Sequence, residues 1–388
     1  MLRRKNWILI LIPLLLASMI LPITSAQFSI NSTRDYWPTM GWRVSAPETQ
    51  GLSSSGLEAF WNQLNSKSNV GGIVLIRNGY IVFEEYYPGV GSDYVWDLAS
   101  ATKSITAAVL GVALADGYLT SVNESVLDIF PERTIANPDP RKDAMTIHHL
   151  LTMSSGFESD AGLMGLSPDW LQYLLDLPMV REPGTFWRYD GGCSHFISTI
   201  VTRTTGLSMA GLAQVRLFGP MGITNYRWDA DPQGNTIGFG NLAMTLRDLA
   251  KIGYLYLNNG TWGPFQLVTA DWVAECTTPH FQFLSGTGYG YQWWIDSEIS
   301  GYSMRGAGGK RAFVLPELDM VIALGGAKSV SFSDFYSAVN DILSPAVIGE
   351  PANYQPSVGE QTLPFVVVLL LIVIPVIIGN TYWQRKRS

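Results

Sequence analysis

The stretch WDLASATKSITAAVLGVALADGYL, residues 96–119, places a serine and a lysine one helical turn apart at the start of an apolar helix. Residue i+3 of a helix lies over the same face as residue i, so the Lys103 amine is expected beside the Ser100 hydroxyl. Apolar neighbours leave such an amine poorly solvated, which lowers its pKa and lets it act as a base near neutral pH. The spacing therefore indicates a serine nucleophile that a lysine deprotonates.

The start of this helix would serve the same chemistry in a second way. Backbone N–H groups at a helix start can receive the negative charge that develops on a substrate carbonyl oxygen. An alternative interpretation stays open, because Ser-x-x-Lys is a short pattern that also arises by chance. In that interpretation Ser100 only caps the helix, and Lys103 extends its ammonium group to water.

Other catalytic arrangements are less well supported by the sequence. The chain has no Gly-x-Ser-x-Gly pattern, and GLSMA, residues 206–210, is typical of an ordinary helix start. The adjacent His148 and His149 point to different faces of their helix, unlike the i, i+4 pair of a zinc site. His195 follows a glycine turn, and we expect it to be structural. The sequence predicts no metal site and no organic cofactor.

The first elements around Ser100 follow from turn signals and periodicity. GGIVLIRNGYIVFEEYYPG, residues 71–89, predicts two strands joined by a turn at Asn78-Gly79. A helix is expected from about Ser100 to Gly117. Residues from about 120 to 265 alternate short helical patterns with Pro and Gly breaks, which predicts an inserted helical subdomain.

Strand patterns return in the last third of the chain, at residues 289–296, 302–316 and 319–327. The amphipathic stretch DFYSAVNDILS then closes the domain. Strands at both ends of the sequence with helices between them predict an α/β (α+β) fold class. The expected architecture is one antiparallel sheet flanked by helices, with an inserted all-helical subdomain, over residues 27–345.

The two ends of the chain carry apolar segments with basic flanks. Residues 1–26 have a basic start, an apolar run and the small-residue exit TSA, which predicts a signal peptide or an uncleaved signal anchor. Residues 363–383 are apolar over one bilayer thickness and predict a transmembrane helix. Residues 346–362 then form a linker, and residues 384–388 form a basic cytoplasmic tail.

The basic flanks also predict a location. Both lie at the outer ends of the apolar segments, so the positive-inside rule places residues 27–362 outside the cytoplasm. Glycosylation sequons at Asn31, Asn123 and Asn259 are consistent with that side. Cys193 and Cys276 are the only cysteines of the chain. They would be able to pair in an oxidising compartment, but two free buried thiols are an equally good interpretation.

The overall charge argues against a nucleic-acid partner. The formal net charge is −7, and Lys and Arg form runs only at the two ends of the chain. Nucleic-acid binding needs a basic face that can contact phosphates. We therefore expect a small-molecule ester or amide as the substrate, with the membrane as the only other partner.

Several motifs in the same order resemble those of the serine β-lactamase-related hydrolases, the group of class C β-lactamases, D-aminopeptidases and esterases. The similarity is greatest to the branch that contains 6-aminohexanoate-dimer hydrolase, and it covers about residues 45–345. It implies the β-lactamase/transpeptidase-like fold. The segments that carry it are SATKS (100–104), MTIHHLLTMSSGF (145–157), PGTFWRYDGG (183–192), LAMTLRDLAKIGYLYLNNGTW (242–262), YGYQWW (289–294) and RGAGGKRAFVLPELDMVIAL (305–324).

The resemblance implies roles for individual residues. Ser100 and Lys103 match the nucleophile and the base of the family, and Tyr189 matches the tyrosine of its Tyr-x-Asn motif, which shares in proton transfer. Gly191 stands where that motif has asparagine. The missing amide removes a polar contact to Lys103 or to the substrate, which argues against efficient β-lactam turnover.

The third motif of the family, Lys-Thr-Gly or His-x-Gly, corresponds to the strand around Gly306. The resemblance implies that a backbone N–H of about Ala307 or Gly308 completes the oxyanion hole with that of Ser100. No lysine or histidine occupies the first position of this motif. Arg305 or Lys310 would have to anchor a substrate carboxylate, although a solvated charge at a sheet edge is the simpler interpretation for both.

The expected function is a membrane-anchored, extracytoplasmic serine hydrolase that cleaves an ester or amide through an acyl-enzyme on Ser100. The alternatives are a non-catalytic surface binding protein with this fold, or a β-lactamase or D-amino peptidase. Aromatic residues near the motifs are candidates for an apolar pocket wall or for the sheet core. They are Trp96, Trp187, Tyr289, Tyr291, Trp293 and Trp294.

Overall fold

An eight-stranded antiparallel sheet is the largest sheet in the part of the chain that the structure describes. The structure, a computed structural model, describes residues 34–66, 70–328 and 330–349. The strands are β1 Gly72–Arg77, β2 Tyr80–Tyr86, β3 Trp96–Asp97, β4 Tyr226–Trp228, β5 Leu242–Met244, β6 Thr261–Trp262, β7 Phe265–Gln266, β8 Phe281–Gln282, β9 Thr287–Tyr289, β10 Trp294–Asp296, β11 Gly301–Gly306, β12 Lys310–Leu315 and β13 Met320–Gly325. The strand order in the large sheet is β2-β1-β13-β12-β11-β10-β9-β8.

The predicted hairpin at residues 71–89 is confirmed. Strands β1 and β2 pair antiparallel, and their turn places Asn78 at φ 50° and Gly79 at φ 84°. Asparagine and glycine adopt this left-handed conformation more readily than other residues, which is why the pair predicts a tight turn. β1 also pairs with β13, so that Gly72 lies opposite Gly325. The two ends of the domain therefore meet in the middle of one sheet, as expected.

Strand β1 is buried on both faces of the sheet. Ile73 and Leu75 belong to the hydrophobic core on one side, and Val74 and Ile76 belong to the core on the other side. Successive side chains of a strand point to opposite faces, so this continuous apolar run fits a sheet that is covered on both sides.

Helices cover both faces of the sheet. Helices α1 and α11 pack on each other beside the smaller core, whereas α9 packs on β13, β12 and β1 beside the larger core. The helices are α1 Ser54–Asn65, α2 Thr102–Ala115, α3 Pro140–Asp143, α4 Ile147–Leu151, α5 Ala161–Leu166, α6 Trp170–Asp176, α7 Gly191–Thr205, α8 Met209–Ala213, α9 Leu246–Leu257, α10 Ala270–Thr277 and α11 Phe332–Ala338.

The predicted helical insertion, residues 120–265, holds α3 to α9. Helix α7 is central to it and packs against α2, α4, α6 and α8. Helix α9 lies within the same range of the sequence, yet it contacts the large sheet. Strands β3, β5 and β4 form a separate three-stranded sheet beside these helices. The insertion is thus tied to the main sheet by both α2 and α9.

The predicted strand at residues 302–316 is a hairpin of two strands. β11 and β12 are joined by a turn at Ala307–Gly309, where Gly308 has φ 74° and Gly309 has φ 75°. A Cβ on Gly309 would overlap the backbone of Ala327. Only glycine fits at that position, because a side chain would be both strained and obstructed. Ala307 and Gly308 therefore lie in a turn, not inside a strand as the sequence suggested.

The structure describes the first residues of the predicted linker but not the predicted apolar segments at the two ends of the chain. Residues 346–349, the start of the predicted linker, contact the domain, since Ser53 N–H donates to Ala346 O at 2.9 Å and Leu52 forms a β-bridge with Val347. The predicted signal at residues 1–26, the transmembrane helix at 363–383, the tail at 384–388 and the sequon at Asn31 lie outside the described residues. Within the described ranges, no helix combines the length and the apolar character needed to cross a membrane.

Gln292 joins three of the helices that surround the site. Its side-chain amide donates to Leu150 O at 3.1 Å and to Leu151 O at 3.0 Å, and its side-chain oxygen accepts from Ser194 Oγ at 2.6 Å. Its backbone carbonyl accepts from Ser104 Oγ at 2.7 Å. The residue is buried, so it links groups on α2, α4 and α7 by hydrogen bonds that water does not replace.

We expect Gln292→Ala to lower the free energy of unfolding by about 3 kcal/mol, because it removes three buried side-chain hydrogen bonds, takes the acceptor from the Ser194 hydroxyl and leaves a cavity. Glutamine and alanine both have a Cβ, so the strain energy of the positive φ at position 292 is similar in the wild type and in the variant. Urea unfolding is the measurement, and the exposed Gln282→Ala is the control, with an expected change below about 0.5 kcal/mol. Equal stability of the two variants would contradict this role.

Candidate active site

Ser100 lies in a short 3₁₀ turn, Ala99–Ala101, between β3 and α2. The sequence predicted that the helix begins at Ser100, whereas the α-helix begins at Thr102. The preceding residue, Ala99, has φ 47°, and its N–H donates to Asp97 Oδ1 at 2.8 Å. A positive φ at a residue with a Cβ costs energy and is frequent at functional sites. The turn therefore holds Ser100 in a backbone conformation that the chain would not adopt freely.

Lys103 is buried beside Ser100. Its Nζ lies 3.0 Å from Ser100 Oγ and 3.0 Å from the carbonyl oxygen of Phe239, and only 3% of the residue is exposed. Burial lowers the pKa of Lys103 to about 7, against the opposing effect of Asp190 and Cys193. The amine is therefore partly neutral at physiological pH, and it lies within hydrogen-bond distance of the hydroxyl.

Tyr189 completes the group. It precedes α7, and Lys103 Nζ lies 4.8 Å from the centroid of its ring. Burial raises the pKa of Tyr189, and a hydrogen bond with Ser100 acts in the opposite direction. The residue as a whole remains 38% exposed. The structure thus brings Ser100, Lys103 and Tyr189 together.

Asp190 fixes the start of α7 next to these residues. Its carboxylate accepts from the N–H of Gly192 at 2.7 Å, from the N–H of Ser159 at 2.7 Å, and from Ser159 Oγ. Sequence analysis did not single out this residue, although an aspartate before two glycines and a helix is an N-cap signal. Its buried charge also stabilises the ammonium form of Lys103.

Phe239 is the second residue that sequence analysis missed. Its backbone carbonyl accepts from Lys103, and its ring lies 5.8 Å from Lys103 Nζ. No sequence signal would have found it, because the contact uses a main-chain atom that is 136 residues away in the chain. Any residue type has such a carbonyl, so only the folded chain identifies it.

The turn Ala307–Gly309 follows a strand end that lies close to the backbone leading to Ser100. A Cβ on Gly306 would overlap the carbonyl of Leu98, so β11 ends against the backbone that leads to Ser100. This close approach is what a glycine in a strand commonly indicates. The assignment of Ala307 or Gly308 as the second oxyanion donor stays a prediction.

Arg305 is not a solvated edge charge, which corrects one interpretation of the sequence. Its guanidinium forms an ion pair with the buried Asp296, donates to Tyr336 Oη at 3.0 Å, and lies 4.9 Å from the ring of Trp294. A guanidinium committed to a buried carboxylate is a poor anchor for a substrate carboxylate. The Lys310 amine lies beside the turn Ala307–Gly309, since a Cβ on Gly308 would be 2.7 Å from Lys310 Nζ.

Aromatic rings surround Tyr189. Tyr189 lies 5.9 Å from Trp294 and 6.3 Å from Tyr289, and Trp187 lies 4.7 Å from Phe283. Of the six aromatic candidates, Trp187, Tyr289 and Trp294 belong to this cluster. The other three pack elsewhere: Trp96 against Tyr94, Tyr291 against His280, and Trp293 against Tyr256.

The histidines have structural contacts. His148 Nδ1 lies 2.8 Å from Tyr291 Oη, and burial lowers the pKa of His148 to about 4. His149 forms a capping box with Thr146, and His195 Nε2 lies 3.1 Å from Asp231 Oδ2. Across the described part of the chain, no three His, Cys, Asp or Glu side chains are arranged to hold a metal ion.

The two cysteines are free and buried in separate environments. Cys193 Sγ contacts Ser155 Oγ at 3.4 Å, and Cys276 Sγ accepts from Tyr256 Oη at 3.7 Å. The sequence allowed either a disulfide or two free thiols, and in the structure both thiols are free. Burial raises the pKa of both thiols well above the ordinary value, which makes them poor nucleophiles.

Comparison with known proteins identifies the family of this chain. The beta-lactamase family model matches residues 62–335, which is more than half of the chain. A lovastatin esterase of Penicillium rubens is 30% identical over 157 residues, which cover 34% of this chain and 39% of that protein. The chain thus spans well under half the length of this curated relative.

Solved structures show the same fold. A Bacillus anthracis protein that bears the name 6-aminohexanoate-dimer hydrolase superposes with a TM-score of 0.65 at 18% identity, over 79% of this chain and 87% of that chain. EstCE1, a hydrolase with promiscuous acyltransferase activity, superposes with a TM-score of 0.61 at 15% identity, over 78% of this chain and 100% of that chain. The protein belongs to the β-lactamase family of serine hydrolases, as its motifs predicted.

The position of Lys103 predicts how reaction of Ser100 depends on pH. The pKa of Lys103 is about 7, so at a pH below this value the lysine is protonated and cannot accept the proton of Ser100. The rate of labelling with a fluorophosphonate should therefore rise with pH and level off above a pH of about 8. Lys103→Met should lower the plateau rate by roughly 10²- to 10⁴-fold. A rate that falls through this range, or that ignores pH, would contradict Lys103 as the base.

Proposed function

We propose that this protein is an extracytoplasmic, membrane-anchored serine hydrolase that cleaves an ester or amide through an acyl-enzyme on Ser100. The observation that carries the proposal is the 3.0 Å distance between Lys103 Nζ and Ser100 Oγ in a site where burial lowers the pKa of the lysine. An amine in that state is a base of the right strength for a serine hydroxyl.

The steps follow from the positions of the side chains. Lys103 takes the proton of Ser100 as Oγ attacks the substrate carbonyl carbon, and the N–H of Ser100 with one from Ala307 or Gly308 receives the oxyanion. The tetrahedral intermediate then expels the alcohol or amine, which takes a proton relayed from Lys103 through the phenol of Tyr189. Water then attacks the acyl carbon and gives a proton through Tyr189 to Lys103. The second tetrahedral intermediate releases the acid, and Lys103 returns the proton to Ser100 Oγ.

Esters and simple amides fit this site better than β-lactams. Gly191 offers no amide side chain to the site, and Arg305 is already paired with Asp296. The aromatic cluster of Trp187, Tyr289 and Trp294 beside Tyr189 suits an apolar acyl or alcohol group. Similarity to a lovastatin esterase supports the same choice.

A fluorophosphonate probe tests the nucleophile. It should label the wild-type protein and fail to label Ser100→Ala, because only Ser100 has a base within hydrogen-bond distance in this site. Ser104→Ala is the matched control: this serine directly follows Lys103, but its hydroxyl donates to the carbonyl of Gln292. It should still be labelled. Labelling of Ser100→Ala at the wild-type rate would reject the proposal, and ligand binding without labelling would favour the non-catalytic alternative.

The location outside the cytoplasm rests on the basic flanks of the two apolar segments. Protease added to intact cells should therefore degrade the domain while a cytoplasmic marker protein stays intact. Cells opened with detergent serve as the control, since both proteins should then be cleaved. A domain that survives on intact cells and is lost only after lysis would contradict this location.

A further inference from the structure

Helix α5, Ala161–Leu166, exposes two of its three large apolar side chains. Leu163 is 60% exposed and Leu166 is 83% exposed, whereas Met164 is fully buried. Residues three apart lie on the same side of a helix, so the two leucines form one exposed apolar surface. A surface helix normally turns such a face toward the core. Adjacent exposed leucines therefore point to a binding role more strongly than one isolated leucine would.

The start of α5 is held beside the candidate active site. Ser159, two residues before the helix, donates from its N–H to the carboxylate of Asp190 at 2.7 Å. Asp190 directly follows Tyr189 in the chain. Asp160 then caps α5 by accepting from the N–H of Leu163 at 2.8 Å. The exposed leucines thus begin four residues after a segment that is fixed to the neighbour of Tyr189.

The end of α5 leads to Lys103 through two aromatic rings. A Cβ on Gly165 would lie 4.0 Å from Cζ2 of Trp170, which is an ordinary packing distance. Trp170 stacks on Phe239 at 6.3 Å with an interplanar angle of 21°, and the ring of Phe239 lies 5.8 Å from Lys103 Nζ. Both aromatic residues are partly exposed. We call the four apolar residues that border the site here the apolar rim: Leu163, Leu166, Trp170 and Phe239.

The chain around the exposed leucines offers no uncommitted charge. Residues 161–168, AGLMGLSP, contain no charged side chain. Of the two flanking carboxylates, Asp160 caps α5, while Asp169 accepts from the N–H of Gln172 at 2.9 Å and forms an ion pair with Arg133. An apolar group that lies along this surface would therefore not have to strip water from an unpaired charge.

The apolar rim and the aromatic cluster of the site are two different surfaces. The rings of the rim contact each other and His195. The rings of the aromatic cluster, Trp187, Tyr289 and Trp294, contact each other and Tyr189. An ester has an acyl part and an alcohol part on either side of the scissile bond, so two apolar surfaces suit a substrate with an apolar group on each side.

We propose that the apolar rim binds a long apolar chain of the substrate, on the acyl or the alcohol side of the scissile bond, so that this hydrolase prefers long-chain esters. The inference rests on the proposed function, because the chain is held there while Ser100 attacks the ester. Leu163, Leu166 and Trp170 then determine specificity without touching the reacting atoms. Each CH₂ group that the rim buries raises kcat/KM by up to about fourfold.

Two ester series test the preference on the full-length protein. The p-nitrophenyl esters from acetate to octanoate lengthen the acyl part, and the acetate esters from methyl to octyl lengthen the alcohol part. In at least one series, kcat/KM should rise at least roughly tenfold from the shortest ester to the longest. Values that stay level or fall with chain length in both series would overturn the proposal.

A double variant, Leu163→Ser with Leu166→Ser, tests the rim itself. It should lower kcat/KM for the longest ester of the rising series at least about fivefold, because two apolar contacts are lost. The value for the shortest ester should stay within about twofold of the wild type, which a general loss of structure would not allow. Both leucines are exposed, so their replacement changes folding little. If the double variant is unstable, Leu166→Ser alone should give a smaller loss of the same kind.

The matched control is Leu207→Ser with Val215→Ser. These residues are 43% and 59% exposed, but they lie away from the site. Leu207 follows the far end of α7, a helix about 22 Å long, and Val215 precedes Arg216, which pairs with Asp116 at the far end of α2. All proteins are measured in the same detergent, so the partition of the esters cancels in the comparison. The control should match the wild type with every ester.

The outcomes separate this inference from the proposed function. If the wild type hydrolyses no ester and is not labelled by a fluorophosphonate, the two fail together. If the wild type hydrolyses esters but the double variant matches it with the longest one, only the role of the apolar rim is overturned, and the leucines serve another partner. A control that loses as much as the double variant would overturn the rim as well.

Discussion

The desolvation of one ammonium group is the constraint to which the rest of the structure responds. Water stabilises a charged amine strongly, so a lysine that is 3% exposed loses much of that stabilisation and becomes a base with a pKa of about 7. The loss is only partly offset by the carbonyl of Phe239 and by the charge of Asp190. A balance of this kind requires surroundings that neither admit water nor let the lysine swing out to it.

The fold provides such surroundings by enclosing α2. Every residue of this helix from Thr102 to Ala113 is buried, because the large sheet lies on one side of it and the helical insertion lies on the other. Gln292 links α2 to α4 and α7 by buried hydrogen bonds. The strained backbone of Ala99 persists because the packed elements on both sides fix the turn that carries Ser100.

The hydrogen-bond acceptor of Lys103 is a main-chain group. The carbonyl of Phe239 lies within reach of the amine, and Gly191, which lies against the ring of Phe239, has no amide side chain. A backbone carbonyl accepts a hydrogen bond as a side-chain amide does, and it loses no rotamer freedom when it is held in place.

The sequence by itself determined the local elements and the closeness of Ser100 to Lys103. The Asn78-Gly79 hairpin, the apolar helix after Ser100 and the one-turn spacing of Ser100 and Lys103 all follow from short-range patterns, which depend on neighbouring residues alone. Tyr189 was reached only through resemblance to a family. The tertiary structure decided the rest: the split of residues 302–316 into a hairpin, the pairing of Arg305 with Asp296, and the contact of Phe239 with Lys103. These features join residues that are distant in the chain, or backbone atoms that every residue has, so no sequence pattern marks them before the chain is folded.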